Sequence, residues 1–178
     1  YLLKVIQLIE NKYVSNEAEK ALLKYDKKNV CKELLKYFSS SRSTYETKVS
    51  ILGFIHQFED IEVAKTILSS MDNPDLKFLG ECTNTLIKVS KSYGLSNDEF
   101  GQIRDVLNIL SKRAYQLHLF RNKLISLQNN ILLIDHIEHD LIKLRHIILK
   151  LGTLEDPTVP IESYIRYIDN RDTDLLPL

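Results

Sequence analysis

The sequence predicts an all-α fold. The chain of 178 residues contains only five Gly and four Pro, well below average usage, and its many Leu, Ile, Lys and Glu residues favour helices. Apolar residues also recur at steps of three and four, the period of an amphipathic helix. A chain of this length can bury one continuous core. We therefore predict a single helical domain over residues 1–178, built from four approximate units over 1–40, 43–93, 96–151 and 156–178.

The first unit predicts three short helices. They are a weakly bounded helix over 1–12, a helix over 16–25 with Ser15 as its N-cap, and a helix over 30–39 with Asn29 as its N-cap.

The second unit has the clearest helix start. Ser43 and Glu46 have the spacing of a capping box, in which each side chain bonds the other residue's backbone amide. Asp60 is expected to open the next helix. Pro74, which follows an Asn, is expected at the first position of another, where its missing N–H costs nothing. That helix should end before Gly94, a plausible C′ residue.

The third unit predicts two long helices. Ser96 and Glu99 form a second capping box. Apolar residues then keep a near-heptad spacing as far as Gly152, with a polar interruption at 128–130. We predict that the two long helices pack as an antiparallel pair, and that a short helix follows over 161–168.

An internal repeat links three parts of the chain. The apolar and Asp/Asn positions of 18–30 align with those of 64–76 and again with those of 161–173. The closest match is between Met71-Asp-Asn-Pro-Asp75 and Ile168-Asp-Asn-Arg-Asp172. Each copy predicts a helix, an Asp/Asn turn and a second helix capped by the Asp.

Helix pairs joined by an Asp-containing turn, at a spacing of about 40 residues, resemble HEAT repeats. The resemblance implies a right-handed α-solenoid of antiparallel helix pairs. Such arrays expose a concave face that binds peptides, helices or neighbouring domains. The implied partner is therefore another protein or a neighbouring domain of the same chain.

The C-terminal part has a narrower resemblance. Leu149-Lys-Leu-Gly152, Asp156-Pro157, the helix over 161–168 and the run from Leu175 to Leu178 resemble the HEAT-type soluble region of some bacterial membrane transporters related to ATP/ADP translocases. The chain starts at Tyr1 rather than Met and ends in an apolar run. We therefore expect a fragment of a longer protein, whose remainder would carry any membrane spans.

Possible metal ligands are concentrated in one helix. Asp135, His139 and His146 share a face, but a metal site needs three or four convergent ligands, so we expect a solvated face. The adjacent His139 and Asp140 resemble the dyad of HD-type phosphohydrolases. That resemblance would imply a metal site completed by His118 and Asp169.

Composition excludes several classes of function. Basic and acidic side chains number 24 each, which leaves no net field for nucleic acid. The longest apolar runs, such as Ile131–Ile134, are far shorter than the roughly 20 residues of a membrane-spanning helix. Cys31 and Cys82 are isolated and expected to be small buried hydrophobes in a reducing compartment.

We predict a non-enzymatic, cytoplasmic module for protein–protein or interdomain binding and regulation. No catalytic, cofactor-binding or metal-binding residue is predicted, and no cofactor. Two alternatives stay open: the soluble domain of a translocase-like transporter, and an HD-type metal-dependent phosphohydrolase.

Overall fold

A computed structural model describes residues 1–11, 13–58, 60–127 and 131–155. Within these residues the chain forms eight α-helices and no strand, which confirms the all-α prediction. The helices are α1 (Leu2–Gln7), α2 (Ser15–Leu22), α3 (Lys27–Phe38), α4 (Tyr45–Phe54), α5 (Ile61–Ser69), α6 (Leu76–Tyr93), α7 (Asn97–Ser126) and α8 (Ile131–Glu155). Short 3-10 turns follow α1 and α4. The helix expected over 161–168 and the third repeat copy lie outside the described residues.

The described residues group into two compact units. The first comprises Tyr1–Met71 and Asn84–Leu95. In this unit α3 contacts α1, α4 and α5. It buries Val30, Leu34 and Phe38, which are four residues apart and therefore lie on one helical face.

The second unit comprises Asp72–Thr83 and the described residues from Ser96 onward. Its main feature is a hairpin of the two long helices, α7 and α8. Arg104, early in α7, pairs with Glu155 at the end of α8 at 2.6 Å. Arg121, late in α7, pairs with Glu138 early in α8. The two helices therefore run in opposite directions.

Three predicted helix boundaries are confirmed. The Asp60 carboxylate accepts the Glu62 amide at 3.0 Å at the start of α5. Ser96 and Glu99 form the predicted capping box at the start of α7. Gly94, just past α6, has a φ of 81°, a left-handed conformation that glycine adopts without strain.

The caps predicted for α2 and α3 are wrong. α2 begins at Ser15 itself, and the residue before it makes no side-chain cap bond. α3 begins one turn earlier than expected, because the Asp26 carboxylate accepts the Asn29 amide at 3.1 Å. Asn29 is thus a donor within the first turn rather than the cap.

The cap predicted at Ser43 and the helix start predicted at Pro74 are also wrong. Thr44 caps α4 instead of Ser43 and accepts the Thr47 amide at 3.1 Å. Asn73 accepts the Asp75 amide at 2.9 Å, which closes a turn around Pro74. Asp75 then accepts the Phe78 amide at 2.9 Å, so α6 begins after Pro74 rather than at it.

The two described repeat copies differ at their turns. Residues 23–26 connect α2 to α3, whereas residues 70–75 connect α5 to α6. In the repeat alignment Asp26 corresponds to Asp72. Asp26 caps α3, whereas α6 is capped by Asp75 and not by Asp72. The predicted equivalence of the two turns therefore does not extend to the capping residue.

Hydrogen bonds from Thr44 and Thr47 to the Glu10 carboxylate join the start of α4 to the 3-10 turn Leu8–Glu10. The Thr44 hydroxyl donates to Glu10 Oε2 at 2.7 Å, and the hydroxyl of the fully buried Thr47 donates to the same oxygen. The hydrogen bond from Thr47, and then that from Thr44, lowers the pKa of Glu10, because both favour the charged carboxylate.

This cluster predicts a pH-dependent contribution to stability. A lowered folded-state pKa stabilises the fold above the ordinary glutamate pKa of about 4.5, and the contribution is lost as the pH falls through the folded-state value. We expect Glu10→Gln to lower the free energy of unfolding at pH 7, with the difference from wild type shrinking in acid. Urea unfolding at pH values from 7 into acid measures this difference in stability. Glu17→Gln, which changes an exposed carboxylate, is the control. A difference that stays constant with pH would contradict the assignment.

Candidate protein-binding surface

The far end of the α7–α8 hairpin has no core of its own. The last buried residue of α7 is Ala114, and the first buried residue of α8 is Ile137. No side chain over 115–127 or 131–136 is buried. We call these two described segments the hairpin tip.

The hairpin tip is rich in exposed apolar side chains. Ile131 is 78% exposed and Leu132 is 77% exposed, although both are large hydrophobic residues. Five more apolar side chains of the tip are exposed: Leu119, Phe120, Ile125, Leu127 and Leu133. Exposed apolar side chains gathered in one segment mark it as a candidate interaction site.

Helix α7 carries two apolar stripes. Leu110, Leu117 and Leu124 repeat every seven residues, and Leu110 is buried. A second stripe contains Ile109, Phe120 and Leu127. These are separated by eleven and seven residues, so they also share a helical face. All three are exposed.

The two helices of the tip differ in charge. From Val106 to Leu127 α7 has no Asp or Glu, and from Ile131 to Ile142 α8 has no Lys or Arg. Arg121 and Glu138 already pair with each other across the hairpin, with 2.8 Å between Nε and Oε1. Lys112, Lys123 and Asp135 are exposed.

A small cavity of about 230 Å³ lies beside the Arg121–Glu138 pair. It includes His118, a residue of the HD-type alternative, whose Nε2 lies 3.0 Å from the Asn122 amide nitrogen. Neither His139 nor Asp140 lines this cavity. His139 is exposed, and Asp140 Oδ1 lies 3.9 Å from Lys143 Nζ. Asp169 lies outside the described residues.

The described part of the chain contains no group of three or more His, Cys, Asp or Glu residues placed to hold a metal ion. Asp135, His139 and His146 share a helical face, but they are not brought together with further ligands there. His118 is on the opposite helix of the hairpin, in the cavity described above.

Both cysteines are buried free thiols, as predicted. Burial, with a smaller effect of Asp60, raises the pKa of Cys31 to about 12. Burial, with a smaller effect of Glu81, raises the pKa of Cys82 to about 12. Both are therefore protonated at neutral pH and serve as small apolar side chains.

Sequence reasoning missed the hairpin tip as a surface. It assigned the apolar spacing of both long helices to their mutual packing, which accounts for only one stripe of α7. Two features of the sequence could have indicated this surface. Helix α7 has more apolar residues than one stripe needs, namely Ile109, Phe120 and Leu127, and α8 starts with an uninterrupted apolar run.

Two further observations bear on function. None of the described helices has the length and apolar content that would let it span a membrane. In comparisons with known proteins, no family model, curated protein or solved structure matches this chain.

Proposed function

We propose that this chain is a non-enzymatic helical module that binds another protein chain through the hairpin tip. The observation that carries the proposal is the exposure of seven large apolar side chains on a segment with no buried residue. Covering such a surface removes apolar area from water, which is the dominant favourable term in protein association.

The form of the surface favours a helical partner. The second stripe of α7 follows one helical face through Phe120 and Leu127. Amphipathic helices bind such faces through apolar anchors at steps of three, four and seven. Exposed lysines at 112 and 123 flank the stripe and would give the contact a polar rim.

The HEAT-like arrangement of stacked helix pairs is part of the same proposal. It is supported by the all-helical fold and by the antiparallel α7–α8 hairpin. In such an array the partner would be a second protein or a neighbouring domain of the same chain. Buried free thiols at Cys31 and Cys82 support a reducing, cytoplasmic setting.

Photo-crosslinking in the producing cells tests this function. A photoreactive amino acid at Leu132, in the tip, is compared with one at Ile61, an exposed apolar residue of α5. We expect one dominant crosslinked protein from position 132 and a much weaker or different pattern from position 61. The adduct should be lost when Phe120→Glu is added. Equal labelling from both positions, or none from position 132, would refute the proposal.

A further inference from the structure

We infer that the groove between α3 and α5 binds a helical segment of another protein that carries acidic residues at every fourth position. Three lysines of α3 line this groove, at positions 28, 32 and 36, and they carry the inference. The groove belongs to the first unit. The inference therefore concerns other residues than the hairpin tip and does not depend on the proposed function.

The groove has a volume of about 530 Å³. Its α3 side consists of the three lysines with Leu35 and Ser39, and its α5 side includes Glu62 and Thr66. The lysines are exposed, whereas Leu35 beside them is half-buried. Leu35 and the hydrocarbon stems of the lysines add apolar contact area to the charged groups. A lining of this kind suits a peptide, which has apolar as well as charged side chains.

The three lysines form a row along α3. They are four residues apart, so they lie on one side of the helix, with about 6 Å of helix axis between successive members. A second helix with Glu or Asp at every fourth position carries its carboxylates at the same spacing of about 6 Å. Laid along the row, such a helix pairs each lysine with one carboxylate.

The chain itself neutralises little of the charge in this row. Among the residues that the structure describes, Lys28 and Lys32 form no ion pair. Lys36 Nζ lies 3.8 Å from Glu33 Oε1 at an exposed position, where ion pairs are weak. Like charges four residues apart also repel each other and destabilise a helix. The carboxylates of an acidic partner would relieve this repulsion, so the row and such a partner are complementary in charge.

The two acidic residues that line the groove are already engaged on α5. The Asp60 carboxylate caps α5 by accepting the Glu62 amide at 3.0 Å, at the end of the helix where the dipole stabilises a negative charge. Glu62 Oε1 lies 3.3 Å from Lys65 Nζ. Both negative charges are therefore offset on α5 itself, whereas those of Lys28 and Lys32 are left for a ligand.

Binding of synthetic peptides to the full chain tests the inference. One fluorescently labelled helical peptide carries three glutamates four residues apart, and a second has the same composition in an order that spreads them around the helix. Fluorescence anisotropy measures Kd for the wild-type chain, for Lys32→Glu and for Lys4→Glu. Lys4 is an exposed lysine of α1 that does not line the groove. Lys4→Glu therefore makes the same change in net charge elsewhere in the first unit.

Lys32→Glu should leave the protein folded. The new glutamate would stand four residues from Lys28 and four from Lys36, an arrangement of opposite charges that stabilises a helix. We expect its melting temperature to be no lower than that of the wild-type chain. Thermal unfolding followed by circular dichroism checks this, so that lost binding is not confused with lost structure.

We expect the wild-type chain to bind the spaced peptide at least about tenfold more tightly than the reordered one. Lys32→Glu should weaken binding of the spaced peptide at least about tenfold, and Lys4→Glu should leave it unchanged. A peptide whose central glutamate is replaced by lysine should bind Lys32→Glu again, because opposite charges then meet. Binding should weaken as the NaCl concentration rises, because salt screens exposed charges.

Four outcomes would overturn the inference. They are no binding of the spaced peptide at about 1 mM, equal binding of the reordered peptide, an equal loss in Lys4→Glu, and no recovery with the lysine-containing peptide. Equally tight binding of a single-stranded oligonucleotide would also overturn it, because the lysines would then attract any polyanion. None of these results bears on the crosslink from Leu132, so the proposed function is tested separately.

Discussion

Phe54→Ala is expected to lower the free energy of unfolding by about 3–5 kcal/mol, the usual cost of truncating a buried phenylalanine. Phe54 is 2% exposed at the end of α4. Its ring meets the equally buried ring of Phe58 edge to face, with centroids 5.8 Å apart and planes at 72°. Truncation removes this aromatic contact and leaves a cavity in the first unit. Urea unfolding followed by circular dichroism measures the loss.

Phe120→Ala is the matched control. This phenylalanine is 48% exposed on α7, so the same truncation should cost less than about 1 kcal/mol. Phe54→Leu, which keeps most of the apolar volume, should fall between wild type and Phe54→Ala. Equal losses at Phe54 and Phe120 would mean that Phe54 is not part of a packed core.

Two helix starts were predictable from local sequence spacing. Asp60 and the Ser96–Glu99 box bond backbone amides within three residues, so their sequence spacing is sufficient information. Thr44 replaced Ser43 at the start of α4. Its hydroxyl also reaches Glu10, a residue far away in sequence. Contacts of that kind cannot be read from local spacing.

The two long helices were also predictable, because their apolar periodicity continues for many turns without Pro. α7 spans 30 residues and α8 spans 25, and the predicted interruption lies between them. Spacing shows which side chains share a face but not which faces find a partner. The sequence therefore could not distinguish the buried Leu110 from the exposed Ile109 and Phe120.

The internal repeat shows the same limit of prediction from local sequence spacing. The Asp and Asn side chains at the turns cap helices and close turns, as expected from their chemistry. The choice between the first and last Asp of a turn depends on how many residues the connection holds. Pro74 belongs to the longer connection, where the Asn73 turn moves the start of α6 to Leu76.

The largest effect on binding is expected from Ile131→Glu combined with Leu132→Glu. These are the two most exposed apolar residues of the tip, at 78% and 77%. A partner that covers the tip must bury both positions, so two carboxylates there would be desolvated without a partner group. The fold should be retained, because both sites are in the first turn of α8, where acidic residues interact favourably with the helix dipole.

The control variant makes the same change in charge at two exposed apolar residues elsewhere. Leu3→Glu with Ile61→Glu replaces two exposed apolar residues, 47% and 48% accessible, in the first unit. If binding uses the hairpin tip, this control should bind the partner as tightly as wild type. Thermal unfolding of both double variants checks that each is folded under the conditions of the binding measurement.

The dissociation constant of the complex formed at Leu132 is the most direct measurement of the central claim. Sedimentation equilibrium serves if the occupant is a second copy, and calorimetry serves if it is another protein. We expect the Ile131→Glu, Leu132→Glu variant to bind about 100-fold more weakly than wild type, the loss of two central anchors, and the control to be unchanged. Wild-type affinity in the folded tip variant would contradict the assignment of the hairpin tip as the binding surface.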